Sequence, residues 1–167
     1  MSRRAAARVT RWRLPCVLVF LSLVLLPVAG SAQTADRDAS APPADLQLLH
    51  LEVNRHRASV GCTKLEWHGA AARVAEGHSR DMAARDYFDH VSPEGTDPGR
   101  RLLSAGVSWS AVAENIALTP AGPESALELW LDSPPHRENI ERCEFTHHGV
   151  GAHGDRWTQI LVQQPRP

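Results

Sequence analysis

A single lysine, Lys64, stands against nine histidines in this 167-residue chain. The partners open to a buried carboxylate are therefore chiefly imidazole and guanidinium. No Cys-x-x-Cys pair occurs, which removes the commonest cysteine metal sites. No His-x-Glu-x-x-His spacing occurs, so spacing alone gives little metal signal. The Gly-x-Ser-x-Gly turn that exposes a nucleophilic serine is also missing. No internal repeat is visible. The longest apolar run, Leu14 to Ala29, is short for a membrane-spanning helix.

That run sits inside a recognisable address. Arg3, Arg4, Arg8, Arg11 and Arg13 precede it with no acidic residue, and Gly30-Ser31-Ala32 follows it. A basic, apolar and small-residue sequence of this order is a secretory signal peptide, expected over residues 1–32 with cleavage after Ala32. An uncleaved anchor is the alternative. Without those residues, 13 Lys+Arg face 19 Asp+Glu, a net of about −6. Such a charge argues against nucleic acid or an anionic membrane as partner. Residues 33–43 have no apolar periodicity and read as a disordered linker. Residues 44–167 then form one domain, expected outside the cell, in a periplasm or on a cell surface. The exported part keeps two cysteines, Cys62 and Cys143. An even count in an oxidising compartment suits a disulfide, with two free thiols as the alternative.

Periodicity sketches the elements. Asp45 is placed to cap a helix through about Val60, with Leu46, Leu49, Val53 and Leu48, Leu51 as its apolar stripe and Gly61 as its stop. Leu65-Glu66-Trp67 reads as a connector. A second helix spans about Gly69 to Asp86, a third runs from Asp97-Pro98 through Leu103, and a fourth from Pro123 to Leu131. A hairpin closes the chain, with strands over 145–152 and 156–163. Trp157 and Leu161 face one way while Ile160 and Val162 face the other, so the sheet is covered on both sides. Helices on both faces predict an α/β fold, a three-layer α/β/α sandwich around a mainly antiparallel sheet.

Glu114 breaks this apolar pattern. In a strand over 110–118, Val112, Glu114, Ile116 and Leu118 share one face, and an ionised carboxylate there costs several kcal/mol unless a donor, charge or metal meets it. Candidate partners differ in context. Ser133-Pro134 reads as the cap and first position of a new helix, putting His136 in its first turn, where the helix dipole favours a neutral, metal-competent ring. The bland reading of His136 is a residue that completes the cap. His90 lies in a turn. His78 sits on the apolar stripe of the second helix, where a satisfied core histidine is the ordinary case. His147 and His148 point to opposite faces, so at most one enters a given cavity. His50, His56, His68 and His153 have no supporting context.

Five segments in order resemble the CAP superfamily (cysteine-rich secretory proteins, antigen 5, pathogenesis-related proteins), in particular its compact bacterial members. They are residues 49–57, similar to "LxxxNxxR"; 78–83 leading to Phe88-Asp89-His90; Ala113-Glu114-Asn115-Ile116, similar to "GENI"; 130–140, similar to "WxxSxxHRxNI"; and Trp157-Thr158-Gln159-Ile160, similar to "YTQVV". The resemblance covers residues 46–163 and implies the same sandwich. Its central cavity often carries two histidines and two glutamates that bind a divalent metal. By motif the first of each falls on His90 and Glu114. The second histidine position is Arg156 and the second glutamate position is Ser133, so that set is not intact. Bacterial members offer the position of His136 instead. The resemblance thus implies a cleft of His90, Glu114 and His136, expected to bind a small ligand and a divalent ion such as Zn2+. A hydrolase is the second expectation, with a histidine as general base and Ser79, Ser92 or Ser133 as nucleophile, or with zinc-activated water. A recognition module with a vestigial cleft is the third. The exported domain is expected to be a monomer without a membrane span.

Overall fold

The computed structural model describes residues 41–165; the expected signal over 1–32 and the leader through residue 40 lie outside the described residues. A 3-10 turn, Ala44–Leu46, leads into α1, Gln47–Ser59. The chain continues through β1 (Glu66–Trp67), α2 (Gly69–Arg85), α3 (Pro98–Ser104), β2 (Ala111–Leu118), α4 (Pro123–Asp132), α5 (Pro134–Glu141), β3 (His147–His153) and β4 (Arg156–Gln163). The strands form one sheet in the order β1-β3-β4-β2. Only the β1–β3 pair is parallel; β3–β4 and β2–β4 are antiparallel.

Alternation along the strands builds the layers. Glu114 is registered with Ile160, Val112 with Val162, and Ile160 with Gly149, so these residues share one face. That face packs α2 and α3, with Ala71, Ala75 and Leu102 against Ile160 and Val162. The opposite face carries Ala117, Trp157, Leu161 and Val150 against Leu49 and Val53 of α1, Leu127 and Trp130 of α4, and Ile140 of α5. The expected α/β/α sandwich is therefore present, with β2 at one edge. Among the described residues no helix is long and apolar enough to cross a membrane.

Several expectations need correction. Asp45 does not cap α1; it lies within the 3-10 turn and no side chain caps the helix. The stripe of α1 is narrower than expected: Leu46, Leu49 and Val53 are buried, whereas Leu48 and Leu51 are exposed. Residues 66–67 form a strand because Glu66 and His68 donate their backbone N–H groups to Thr146 and His148 of the neighbouring segment. A two-residue strand has no periodicity to read. Ser133 holds the cap position of α5 without a side-chain capping bond.

Cys62, after α1, is bonded to Cys143, after α5, across 81 residues. Closing a loop of that length contributes about 4–5 kcal/mol in the chain-entropy model. Beside it Arg57 is wholly buried and donates to the carbonyls of Thr63 (2.9 Å), Ile140 (2.6 Å), Arg142 (3.0 Å) and Phe145 (3.0 Å). The guanidinium replaces its water with four fixed dipoles, the condition for burying a charge.

Candidate functional site

Glu114 reaches its position through β2 alone. The strand alternation turns its side chain toward the α2–α3 layer, where 1% of it is exposed. The carboxylate is fully engaged there. Its Oε1 meets His90 Nδ1 at 2.9 Å, and its Oε2 accepts from Arg101 Nη2 at 2.7 Å. His78 Nε2 lies 3.7 Å from Oε1 and donates to the Asp89 carbonyl at 2.9 Å.

The loop from α2 to α3 brings His90 in, and Arg101 of α3 fixes that loop. Arg101 donates to the backbone carbonyls of His90 (3.1 Å) and Thr96 (2.9 Å) while holding Glu114. Asp97 starts α3 by accepting from the Arg100 N–H at 2.8 Å, with Pro98 at the first helical position. One short helix thus orients both the acid and its imidazole partner.

Electrostatics divides the histidines. The hydrogen bond to Glu114, partly opposed by burial, raises the His90 pKa above its ordinary value. Burial lowers that of His78, with Glu114 offsetting only part and Arg101 adding to the shift. Burial, then the charge of His90, lowers that of His136. So His90 is the imidazole that takes up a proton most readily, while His78 and His136 stay neutral. With Nδ1–H committed to Glu114, the free atom of His90 is Nε2, and 45% of this side chain is exposed. It borders a cleft of about 350 Å³ between α3 and β2, lined also by Asp97, Pro98, Trp109 and Val112.

His90 and Glu114 meet as expected, but His136 does not join them through a bond. Its ring has no hydrogen bond or ion pair among the described residues, and its carbonyl accepts from Asn115 Nδ2 at 3.1 Å. As the side chains stand, no divalent-ion site is preassembled around Glu114 among the described residues. Both oxygens of Glu114 are taken, one by a guanidinium that supplies the positive charge. No group of three His, Cys, Asp or Glu side chains among the described residues is placed to hold a metal. The serines considered as nucleophiles are engaged elsewhere or make no bond to this set among the described residues. Ser79 Oγ is buried between Thr158 Oγ1 (2.8 Å) and the Gly151 carbonyl (3.1 Å), and Ser92 Oγ accepts from the Thr96 N–H at 3.2 Å. Ser133, at the cap of α5, makes no bond to His90 among the described residues.

Sequence reasoning missed Arg101 and treated His78 as ordinary core. Arginine in a short helix normally reads as a solvated face, and nothing local marks Arg101 as different.

Across the sheet, Asn115 begins a second buried polar row with Gln159 and His148, which ends at His50 of α1. His148 is completely buried, and desolvation lowers its pKa to about 3. Its folded value is depressed, so the unfolded chain binds the extra proton and stability rises with pH. That contribution is complete above the ordinary value of 6.5 and is lost as pH falls toward 3. Calorimetric melting at about pH 4.5 should show roughly 2–3 kcal/mol less stability than at neutral pH from this residue alone. His50, shifted down by burial, adds in the same direction. A melting temperature that does not fall on acidification would contradict the neutral, buried row.

Comparison with known proteins places the chain among relatives of the same fold. The family model described as "Cysteine-rich secretory protein family" matches residues 51–164. The "Uncharacterized protein YkwD" of Bacillus subtilis (strain 168) is 37% identical over 139 residues, covering 80% of this chain and 54% of that protein. The "Uncharacterized membrane protein YlbC" of the same organism is 36% identical over 121 residues, covering 72% of this chain and 35% of that protein. Among solved structures, an extracellular protein containing an SCP domain from Bacillus anthracis str. Ames superposes with a TM-score of 0.69 at 35% identity. That match covers 71% of this chain and 40% of that one. The chain thus spans between about a third and a half of the length of these relatives.

Proposed function

The chain belongs to the cysteine-rich secretory protein (CAP) family, and we propose that it is a secreted binding domain whose cleft between α3 and β2 takes a small ligand at His90. One observation carries this reading: a buried carboxylate holds Nδ1 of His90, which leaves Nε2 free on an imidazole that, with Asp97, lines a 350 Å³ cleft. Fixing one ring nitrogen selects the state of the other, so the imidazole is pre-oriented rather than free to rotate. Trp109, Pro98 and Val112 supply apolar wall, and a few polar groups among such walls are the usual composition of a small-molecule site.

Export rests on the basic, apolar and small-residue segment over 1–32, and the extracellular Bacillus anthracis relative supports it. Recognition is favoured over hydrolysis because no serine hydroxyl among the described residues pairs with His90. A fragment screen followed by two-dimensional NMR tests the reading. Ligands should shift His90, Trp109 and Val112 together, and His90→Ala should weaken them at least tenfold while the fold persists. Hits scattered over the surface, or indifferent to His90→Ala, would remove the proposal. Calorimetric titration with zinc tests the metal-free arrangement as well. Saturation at micromolar zinc, lost in Glu114→Ala, would restore the His90, Glu114 and His136 ligand set in its place.

A further inference from the structure

A donor count along the buried polar row marks a second site, on the other side of the sheet from His90. The row is anchored to backbone at both ends, which fixes its hydrogens. At one end the His136 carbonyl accepts from Asn115 Nδ2 at 3.1 Å, so the amide nitrogen of Asn115 is identified. The same nitrogen donates to Gln159 Oε1 at 3.0 Å. Gln159 must then donate through Nε2 to His148 Nδ1 at 3.1 Å. Completely buried, His148 is neutral, so its single proton lies on Nε2 and is given to His50 Nδ1 at 2.7 Å. His50, neutral as well, therefore carries its own proton on Nε2.

The other end runs the opposite way. Asn54 Oδ1 accepts from the Leu65 N–H at 2.7 Å and Nδ2 donates to the Leu65 carbonyl at 3.1 Å, which fixes that amide too. Asn54 Nδ2 lies 3.3 Å from His50 Nε2. Both atoms are donors, and two donors cannot satisfy each other. An acceptor oxygen beside them resolves the conflict. Both side chains line an open cleft of about 830 Å³ between α1 and β1.

The rim of that cleft indicates which oxygen. Lys64, the one lysine of the chain, stands there exposed with no ion pair among the described residues. Its neighbours in charge are engaged elsewhere: Arg55 with Glu52, and Glu66 with His147 at 3.5 Å. Leu51, 59% exposed, adds an apolar flank to the cleft. We propose that the α1–β1 cleft binds a small carboxylate with an apolar body. One carboxylate oxygen accepts from His50 Nε2–H and Asn54 Nδ2–H, Lys64 balances the charge, and the body lies along Leu51.

The full chain, labelled with 15N, tests this with benzoate as probe and benzyl alcohol as its uncharged counterpart. Long-range imidazole spectra should show His50 protonated on Nε2. Benzoate should give saturable shifts at His50, the Asn54 side-chain amide and Lys64, with benzyl alcohol much weaker. Lys64→Ala should weaken benzoate by roughly fivefold, with Lys64→Arg largely restoring it, since that exposed cation contributes through charge alone. Lys64 is a surface residue, so the variant keeps the fold. A His50 proton on Nδ1 would remove the facing donors and overturn the proposal. So would the expected tautomer without saturation, meaning that water alone fills the seat, or equal binding of benzyl alcohol. Shifts at His90 in place of His50 would move benzoate to the α3–β2 cleft and overturn it too, leaving the reading of that cleft untouched.

Discussion

Gly151→Ala is expected to destabilise the fold severely, and Gly149→Ala to do the same. Both glycines lie on β3, on the face that packs α2. An added Cβ at Gly151 would sit 2.2 Å from the backbone nitrogen of Glu76, and one at Gly149 would sit 2.1 Å from that of Ala72. Helix backbone cannot rotate aside as a side chain can. Relief requires α2 to lift by more than 1 Å, opening gaps under Ala71, Ala75 and Met82, which are fully buried. Overpacking a core typically costs 1–3 kcal/mol; with rigid backbone on both sides, about 3 kcal/mol or more is expected at each position. That is a large part of the 5–15 kcal/mol available to an ordinary domain. Urea denaturation followed by circular dichroism measures it. Gly77→Ala is the control, because its Cβ meets nothing within 4 Å on exposed helix. That variant should gain about 0.5–1 kcal/mol. Similar midpoints for Gly151→Ala and the parent would refute the close approach.

The second large effect is expected at Glu114. Glu114→Ala leaves Arg101 and His90 facing each other around an empty space, with the Arg101 side chain only 13% exposed. Removing one partner of a buried pair costs about 3–5 kcal/mol, because the remaining charge keeps its desolvation penalty. Glu114→Gln keeps the volume but presents an NH2 group to one of two donors, so it should lose part of that amount. The pH dependence separates charge from shape. Glu114 raises the His90 pKa, so its pairing with His90 stabilises the fold fully below the ordinary value near 6.5. The contribution fades as pH rises through the higher folded value. The gap between parent and Glu114→Gln should accordingly be wider at about pH 6 than at about pH 8, in paired denaturation curves. NMR titration of His90 should show its pKa falling in the variant. An unchanged His90 titration would mean that the hydrogen bond to Glu114 does not form.

What could be read in the chain itself follows the reach of each signal. Glu114 was visible because one charge interrupted a period-two apolar pattern, which needs only eight residues to see. The flanking strands and the helix at Asp97-Pro98 were visible for the same reason: caps, stops and alternation are local. Resemblance to the family placed His90 beside Glu114 from motif order, and the structure joins them at 2.9 Å. Arg101 was not visible, since its partners are two backbone carbonyls and an acid thirteen residues away. The pairing of His50 with His148 joins residues 98 apart, and only the sheet brings them together. Gly149 and Gly151 carried no signal, because closeness to α2 leaves no trace in β3 alone.

Arg57 has a consequence for how the molecule meets reducing conditions. Its guanidinium grips carbonyls on both sides of Cys143 from a helix that ends three residues before Cys62. The same two stretches of backbone are therefore tied twice, once by sulfur and once by four hydrogen bonds from a single planar group. Cutting the covalent tie leaves the thiols held as neighbours, so reoxidation regenerates the original pairing without a search.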